Sequence, residues 1–137
     1  MASRIIGKQI FRYKRIDSTN DEAKRLIVKG VGEGALVIAK EQTKGRGKPG
    51  SKWYSPKQVG LYLSAIIKPY KNPPKLIALT KIAAEAVVAS ILETTGLSAS
   101  IKLPNDVLVN EKKVCGILVE RVRSGEVIIG IGINVNN

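Results

Sequence analysis

The chain has 137 residues, 44% of them hydrophobic, and a formal net charge of +12. That length supports one core rather than two complete domains, and so basic a balance suits a nucleic acid, an acidic protein or a phosphate-bearing molecule without choosing among them. Histidine is absent and cysteine occurs once, at Cys115, which excludes histidine triads, an internal disulfide and Cys/His metal clusters. No apolar run reaches the roughly 20 residues of a membrane helix. Residues 1–15, MASRIIGKQIFRYKR, lack the apolar centre of a secretory signal, so a cytoplasmic protein without membrane contact is expected.

QIFRYKRI, residues 9–16, alternates branched or aromatic with charged residues and predicts a half-buried strand. Thr19 and Glu22 have the spacing of a capping box, and Ala23, Leu26 and Ile27 recur at helical spacing as far as Gly30, predicting a helix capped by Thr19. GEGALVIAKEQ reads as a turn and a strand. TKGRGKPGSKWYSPKQVG, residues 43–60, holds almost nothing to bury and predicts a long exposed loop, of a length that usually carries function. LYLSAIIKP predicts a strand. PPKLIALTKIAAEAVVASILETTG predicts the longest helix, closed by Gly96, with Leu76, Leu79, Ala83, Ala86 and Val87 on its apolar face. Three strand-like pieces follow, SASIKLP, KKVCGILVERV and EVIIGIGINV, joined by the polar connectors NDVLVNE and RSGE. A hairpin turn at SGE would make the last two strands antiparallel neighbours. The pattern is α+β: a mixed, mostly antiparallel sheet with helices packed mainly on one face, in a single domain spanning 1–137.

Gly45, Gly47 and Gly50 match GxGxxG in spelling, but Pro49 and Pro56 deny the helix that a dinucleotide fingerprint requires. A P-loop fails as well, because Ser51 follows Gly50 where lysine is needed. What remains is a glycine loop ringed by Lys44, Arg46, Lys48 and Lys52. Its backbone can approach a phosphate closely, and a basic surface loop that touches RNA is the other reading.

EQTKGRGKPGSKWYSP, residues 41–56, strongly resembles the signature loop of biotin protein ligases, in which Gln precedes a run of the type Gly-Arg-Gly-Arg-x-Gly-Arg-x-Trp. DSTN at 17–20, LYLS at 61–64, KLPNDV at 102–107, KKVCGILVE at 112–120 and GIGINVN at 130–136 resemble further motifs of that family, in its order and over nearly the whole chain. The resemblance implies a biotin/lipoate protein ligase-like fold akin to class II aminoacyl-tRNA synthetases. It implies ATP-dependent biotinylation of a lysine on a biotin carboxyl carrier protein through biotinyl-5′-AMP, with ATP and biotin as substrates and Mg2+ accompanying the nucleotide. On this basis Ser18, Thr19, Asn20, Gln42, Gly45, Arg46, Gly47, Lys113 and Gly116 would bind biotin, and Arg46, Lys48, Trp53, Lys102, Asn105, Lys113 and Asn134 the nucleotide. Lys113 would face the carboxylate and phosphate oxygens, Arg46 and Lys48 would fold over the adenylate, and Asp106 would orient the acceptor lysine or take its proton, with a share in magnesium binding.

Each residue also has a plainer reading. Thr19 could be only a helix cap, Pro104-Asn105-Asp106 a turn, Trp53 part of a core, and the glycines around Asn134 packing spacers. Three positions depart from the family pattern: Lys48 and Ser51 stand where arginine is usual, and Leu103 where tryptophan is usual. Lysine loses the planar bidentate fork of arginine. The domain is expected to lack the usual C-terminal part and a DNA-binding segment in front, so no DNA-binding role is expected; homodimerisation stays open. Lipoate ligase-like acyl adenylation is an alternative reading, and so is a non-catalytic remnant that binds biotin, a carrier protein or nucleic acid.

Overall fold

The computed structural model describes residues 6–47, 50, 52–57, 60–69 and 75–135. Its strands are β1 (Gln9–Tyr13), β2 (Ala35–Ala39), β3 (Gly60–Ile67), β4 (Ser100–Lys102), β5 (Asp106–Val109), β6 (Lys112–Arg121) and β7 (Val127–Asn134). Helix α1 (Thr19–Val28) lies between β1 and β2, and α2 (Leu76–Thr95) between β3 and β4. They form one seven-stranded sheet in the order β1-β2-β3-β7-β6-β5-β4. Only β1 and β2 run parallel, and α1 supplies the crossover that a parallel pair requires. The α+β class and the mostly antiparallel sheet are as the sequence predicts. The SGE hairpin also forms, with Gly125 N–H donating to Val122 O and Val122 N–H to Glu126 O.

The two helices divide between the faces of the sheet. Side chains alternate along a strand. On β7, Ile128 joins Ala23 and Leu26 of α1 together with Ala35, Val37 and Ile66, whereas Ile129, Ile131 and Ile133 pack with Ala83, Ala84 and Val87 of α2. The expectation of helices mainly on one face is therefore corrected for α1. Opposite α2 lies the part of the sheet that α1 does not cover, and there the backbone of β6 and β7 is open to a ligand.

Three local expectations also change. The N-cap of α1 is Ser18, extended at φ −155°, with its side chain accepting from Asp21 N–H at 3.3 Å; Thr19 is turned inward and serves the site. Connector NDVLVNE contains β5, because Val107 supplies a fully buried core side chain and Asn110 and Glu111 take positive φ (51° and 64°) in a tight hairpin turn. On α2 the buried residues are Leu79, Thr80, Ala83, Ala84 and Val87, with Ala86 exposed. Its exposed face also carries large apolar residues, Ile77, Ile82 and Leu92, so spacing alone does not select the buried stripe. Gly96 ends it as expected, at φ 76° with its N–H on Leu92 O.

A polar staple ties the end of β1 to α1. Arg25 binds both carboxylate oxygens of Asp17 (3.0 and 2.7 Å) and Glu22 (2.6 Å), and Tyr13 donates to Glu22. Arg25 holds the Asp17 carboxyl below its usual range. Burial pushes Glu22 upward, but the bonds from Tyr13 and Arg25 win and leave it lowered. Both groups bind protons more weakly in the folded state. Their stabilisation is therefore complete above the unfolded carboxylate pKa of about 4 and is lost as pH falls through the lower folded values. The thermal midpoint followed by circular dichroism should hold above about pH 5 and fall in acid, and Arg25→Ala should flatten that acid slope.

Candidate active site

On the side of the sheet opposite α2, a pocket is lined by Ser18, Thr19 and Asn20 at the start of α1, by Gln42, Arg46, Gly47, Lys52 and Trp53 of the glycine-rich segment, and by Asn105 and Lys113. Its floor is formed by Gly116, Ile117 and Leu118 on β6 and Gly130, Ile131 and Gly132 on β7.

The floor is bare because glycines leave it so. A Cβ on Gly132 would stand 2.4 Å from Trp53 Nε1, and one on Gly130 would stand 2.3 Å from Asn20 Oδ1. Register pairs Gly132 with Gly116, and a Cβ on Gly116 would also meet the Trp53 ring, at 2.9 Å. The indole therefore lies flat on two adjacent strands. The sequence predicts an exposed loop over residues 43–60. Their described part instead folds onto the sheet, with Gly45 and Ser55 buried and Trp53 half-buried. Backbone bridges join Arg46 to Lys52 and Gln42 to Ser55.

A chain of polar side chains underlies the pocket. Gln42 Oε1 accepts the Thr19 N–H at 2.8 Å and the Thr19 hydroxyl at 3.1 Å, while Gln42 Nε2 donates to Ser55 Oγ at 2.9 Å. Ser55 Oγ donates to Trp53 O at 2.9 Å. Asn20 Nδ2 donates to Leu118 O (3.3 Å) and Glu120 Oε1 (2.9 Å). Its Oδ1 takes the proton of Ser64 at 2.5 Å, and Ser64 Oγ lies 2.7 Å from Thr19 Oγ1. Ser64 is fully buried. The partners fix how each amide faces, which an isolated Asn or Gln does not reveal.

The electrostatics have one sign at the mouth. The side-chain charges lining the pocket are Arg46, Lys52 and Lys113. Lys113 Nζ is 3.0 Å from Asp106 Oδ1 and 5.1 Å from the centre of the Trp53 ring, within cation–π range. Burial works to lower the Arg46 pKa, and its bonds to Glu120 and the nearby carboxylates reverse this, leaving a permanent cation. Arg46 Nε, Trp53 Nε1 and Asn105 Oδ1 are buried with no partner in the protein. Buried polar atoms are rarely left unpaired, and all three belong to residues that line this pocket.

The profile of the Biotin/lipoate A/B protein ligase family matches residues 13–136. The chain belongs to that family. It is 42% identical to the "Bifunctional ligase/repressor BirA" of Bacillus subtilis over 99% of the chain and 43% of that protein. It is 38% identical to the "Biotin--[acetyl-CoA-carboxylase] ligase" of Paracoccus denitrificans over 88% of the chain and 52% of that protein. Among solved structures it resembles the biotin protein ligase of Aquifex aeolicus in complex with biotin and ATP, with a TM-score of 0.81 and 39% identity over 95% of this chain and 53% of that one. The chain thus spans about half the length of these relatives.

Against this ligase family the expected residues can be placed one by one. Ser18, Thr19, Asn20, Gln42, Arg46, Gly47, Trp53, Asn105, Lys113 and Gly116 share one pocket. Gly45 lies beneath it, packed on Trp53 O and Ser55 Oγ. Lys102 is exposed at the end of β4, and Asn134 borders a second cleft with Lys112 and Lys113. Asp106 reaches the site through Lys113. Lys48 and Ser51 lie outside the described residues. Leu103, where the family usually has tryptophan, is 70% exposed. Ser55, Ser64, Glu120, Gly130 and Gly132 carried no sequence assignment, although all five belong to the motifs EQTKGRGKPGSKWYSP, LYLS, KKVCGILVE and GIGINVN. Their roles depend on contacts across the sheet.

Gly132→Ala tests the floor. The new methyl must displace the indole, at about 1–3 kcal/mol for overpacking, and the emission of Trp53, the sole tryptophan, should shift to the red as the ring becomes wetter. Unchanged emission with unchanged stability would mean that the ring does not rest on β7.

Proposed function

We propose that this chain supplies the biotin and adenylate site of a biotin protein ligase, which joins biotin to AMP and then transfers it to a lysine of a biotin carboxyl carrier protein. One observation carries the reading: a glycine-floored pocket whose lining charges are Arg46, Lys52 and Lys113, with two buried donors, Arg46 Nε and Trp53 Nε1, left unpartnered. Such a site asks for an anionic, acceptor-rich ligand, and biotinyl adenylate is one. The Aquifex relative, solved with biotin and ATP, and the Paracoccus relative, named for acetyl-CoA carboxylase, support the two substrates and the carrier class.

In the first step a carboxylate oxygen of biotin attacks the α-phosphorus of ATP; a phosphorus–oxygen bond forms and pyrophosphate leaves. Charge gathers on the phosphoryl oxygens, where fixed cations stabilise the transition state without reorganising. Lys113 and Arg46 are assigned that task, with Lys48 as a third cation by resemblance. In the second step the acceptor lysine attacks the acyl carbon and AMP leaves. Asp106 is the carboxylate beside Lys113 and is assigned to orient the incoming ammonium and receive its proton. The small polar groups of Ser18, Thr19 and Asn20 with Gln42 would face the ureido ring, and Asn105, Trp53, Lys102 and Asn134 the nucleotide.

Among the described residues no three His, Cys, Asp or Glu side chains cluster as metal ligands. Asp106 is already engaged by an ammonium group, so these residues do not fit a resident magnesium site. Magnesium would arrive on the phosphates of ATP, as it commonly does.

Incubation with biotin and ATP labelled in the α-phosphate should yield labelled biotinyl-AMP, and addition of a carrier domain should move biotin onto it. Lys113→Ala should slow adenylate formation about a hundredfold or more, the usual cost of removing one transition-state charge partner. Adenylate formation at the parent rate in that variant would remove Lys113 from the chemistry.

A further inference from the structure

Glu120 lies near the end of β6 with a side chain only 22% exposed. Its two oxygens collect four donor contacts. Oε1 accepts from Asn20 Nδ2 at 2.9 Å and Arg46 NH2 at 3.1 Å, and Oε2 from Arg46 NH1 at 3.1 Å and Lys24 Nζ at 3.2 Å. Burial pushes the Glu120 carboxyl up, but the hydrogen bonds from Arg46 and Asn20 and the charges of Arg46 and Lys24 outweigh it and leave the pKa lowered. It is ionised at neutral pH.

The grip on Arg46 is fork to fork, the geometry that fixes a guanidinium in angle as well as distance. Asp21 Oδ1 adds a further bond to NH2 at 2.6 Å. Both terminal nitrogens are thereby committed to protein. Nε is left as a buried donor without a partner, on a side chain that lines the pocket. The same carboxylate also sets the Asn20 amide, whose Oδ1 then meets Ser64.

We infer that Glu120 is a positioning residue of the site: it holds the Arg46 guanidinium over the pocket with Nε–H left for an oxygen of the ligand, and so keeps Arg46, with Lys52 and Trp53 bridged beside it, folded on the sheet. Lys24, paired with Glu120 and Asp21, balances the charge from outside. The ligand half of this inference rests on the biotin site proposed above; the half concerning the loop does not.

Glu120→Gln keeps the side-chain shape and removes the charge, and two readouts separate the halves. Without ligand, trypsin should cut the 44–52 segment about tenfold faster, since cleavage follows local opening, while circular dichroism and the cleavage rate elsewhere stay near the parent values. With biotin in a calorimeter, affinity should fall about tenfold, or 1.4 kcal/mol. Adding Glu120→Gln to Arg46→Ala should cost little more than Arg46→Ala alone, because residues acting through one another are not additive.

Parent-like cleavage of the loop overturns the inference, and so do fully additive losses of biotin affinity. If the parent protein fails to bind biotin while Glu120→Gln still opens the loop, the ligand assignment fails and the positioning role stands. Should Glu120→Gln not fold, Arg46→Lys replaces it. That change keeps the charge and loses the fork, so it should open the loop in the same way, and a parent-like cleavage rate would overturn the role of Glu120.

Discussion

The site depends on a line of buried polar side chains that runs from Glu120 through Asn20, Ser64, Thr19 and Gln42 to Ser55 and the carbonyl of Trp53. Each member would be costly to bury alone, since an unpaired polar group in a dry interior forfeits about 1–3 kcal/mol. Together they satisfy one another. The two ends of the line also grip the two ends of the glycine-rich segment, Arg46 at Glu120 and Trp53 at Ser55. The described residues of a segment with almost no apolar side chains are thereby held in place by hydrogen bonds, together with the packing of the Trp53 ring. Its placement follows from that of α1, because Thr19 and Asn20 sit in the first turn of this helix and Ser18 caps it.

Packing beneath the line has the opposite character. Gly116 and Gly132 are paired across β6 and β7 and let an indole rest on the strand backbone, while the reverse face of the same strands presents Cys115, Ile117, Ile131 and Ile133 to α2. Strand alternation thus assigns one face to cohesion and the other to access. The lone cysteine falls on the cohesive face, fully buried, with burial raising its pKa to about 12. A thiol so placed stays protonated and packs as a small apolar group.

Much of this was legible in the sequence where the information was local. Turn residues, strand alternation and the glycine after α2 located nearly every element, and six short motifs named most of the pocket. Reading failed where a partner lies far along the chain. The spacing of Thr19 and Glu22 suggested a cap one residue too late, because the hydroxyl of Thr19 is engaged by Gln42 and Ser64, 23 and 45 residues away. Glu120 closes a motif yet drew no role, since its partners Asn20 and Arg46 lie 100 and 74 residues before it. The strand of Asp106–Val109 was hidden among polar neighbours, and only its pairing with β4 and β6 turns Val107 into a core residue. The apolar face of α2 was misread at Ala86 because Ile77, Ile82 and Leu92 on the exposed side blur the periodic signal.

The charge of the chain can then be read more narrowly than composition allows. A net charge of +12 spread over a surface attracts any polyanion, but Arg46 and Lys113 each already face a carboxylate, Glu120 and Asp106 respectively. Paired cations contribute little to long-range attraction; what they offer is position. The guanidinium fork is held by protein carboxylates, and Nε–H is the buried donor left without any partner. A ligand gains most if it brings an acceptor to that point while its flat apolar part lies among the glycines and the indole. Unpartnered donors fixed in place suit a small ligand with matching acceptors, whereas the backbone of a nucleic acid draws mainly on exposed cations.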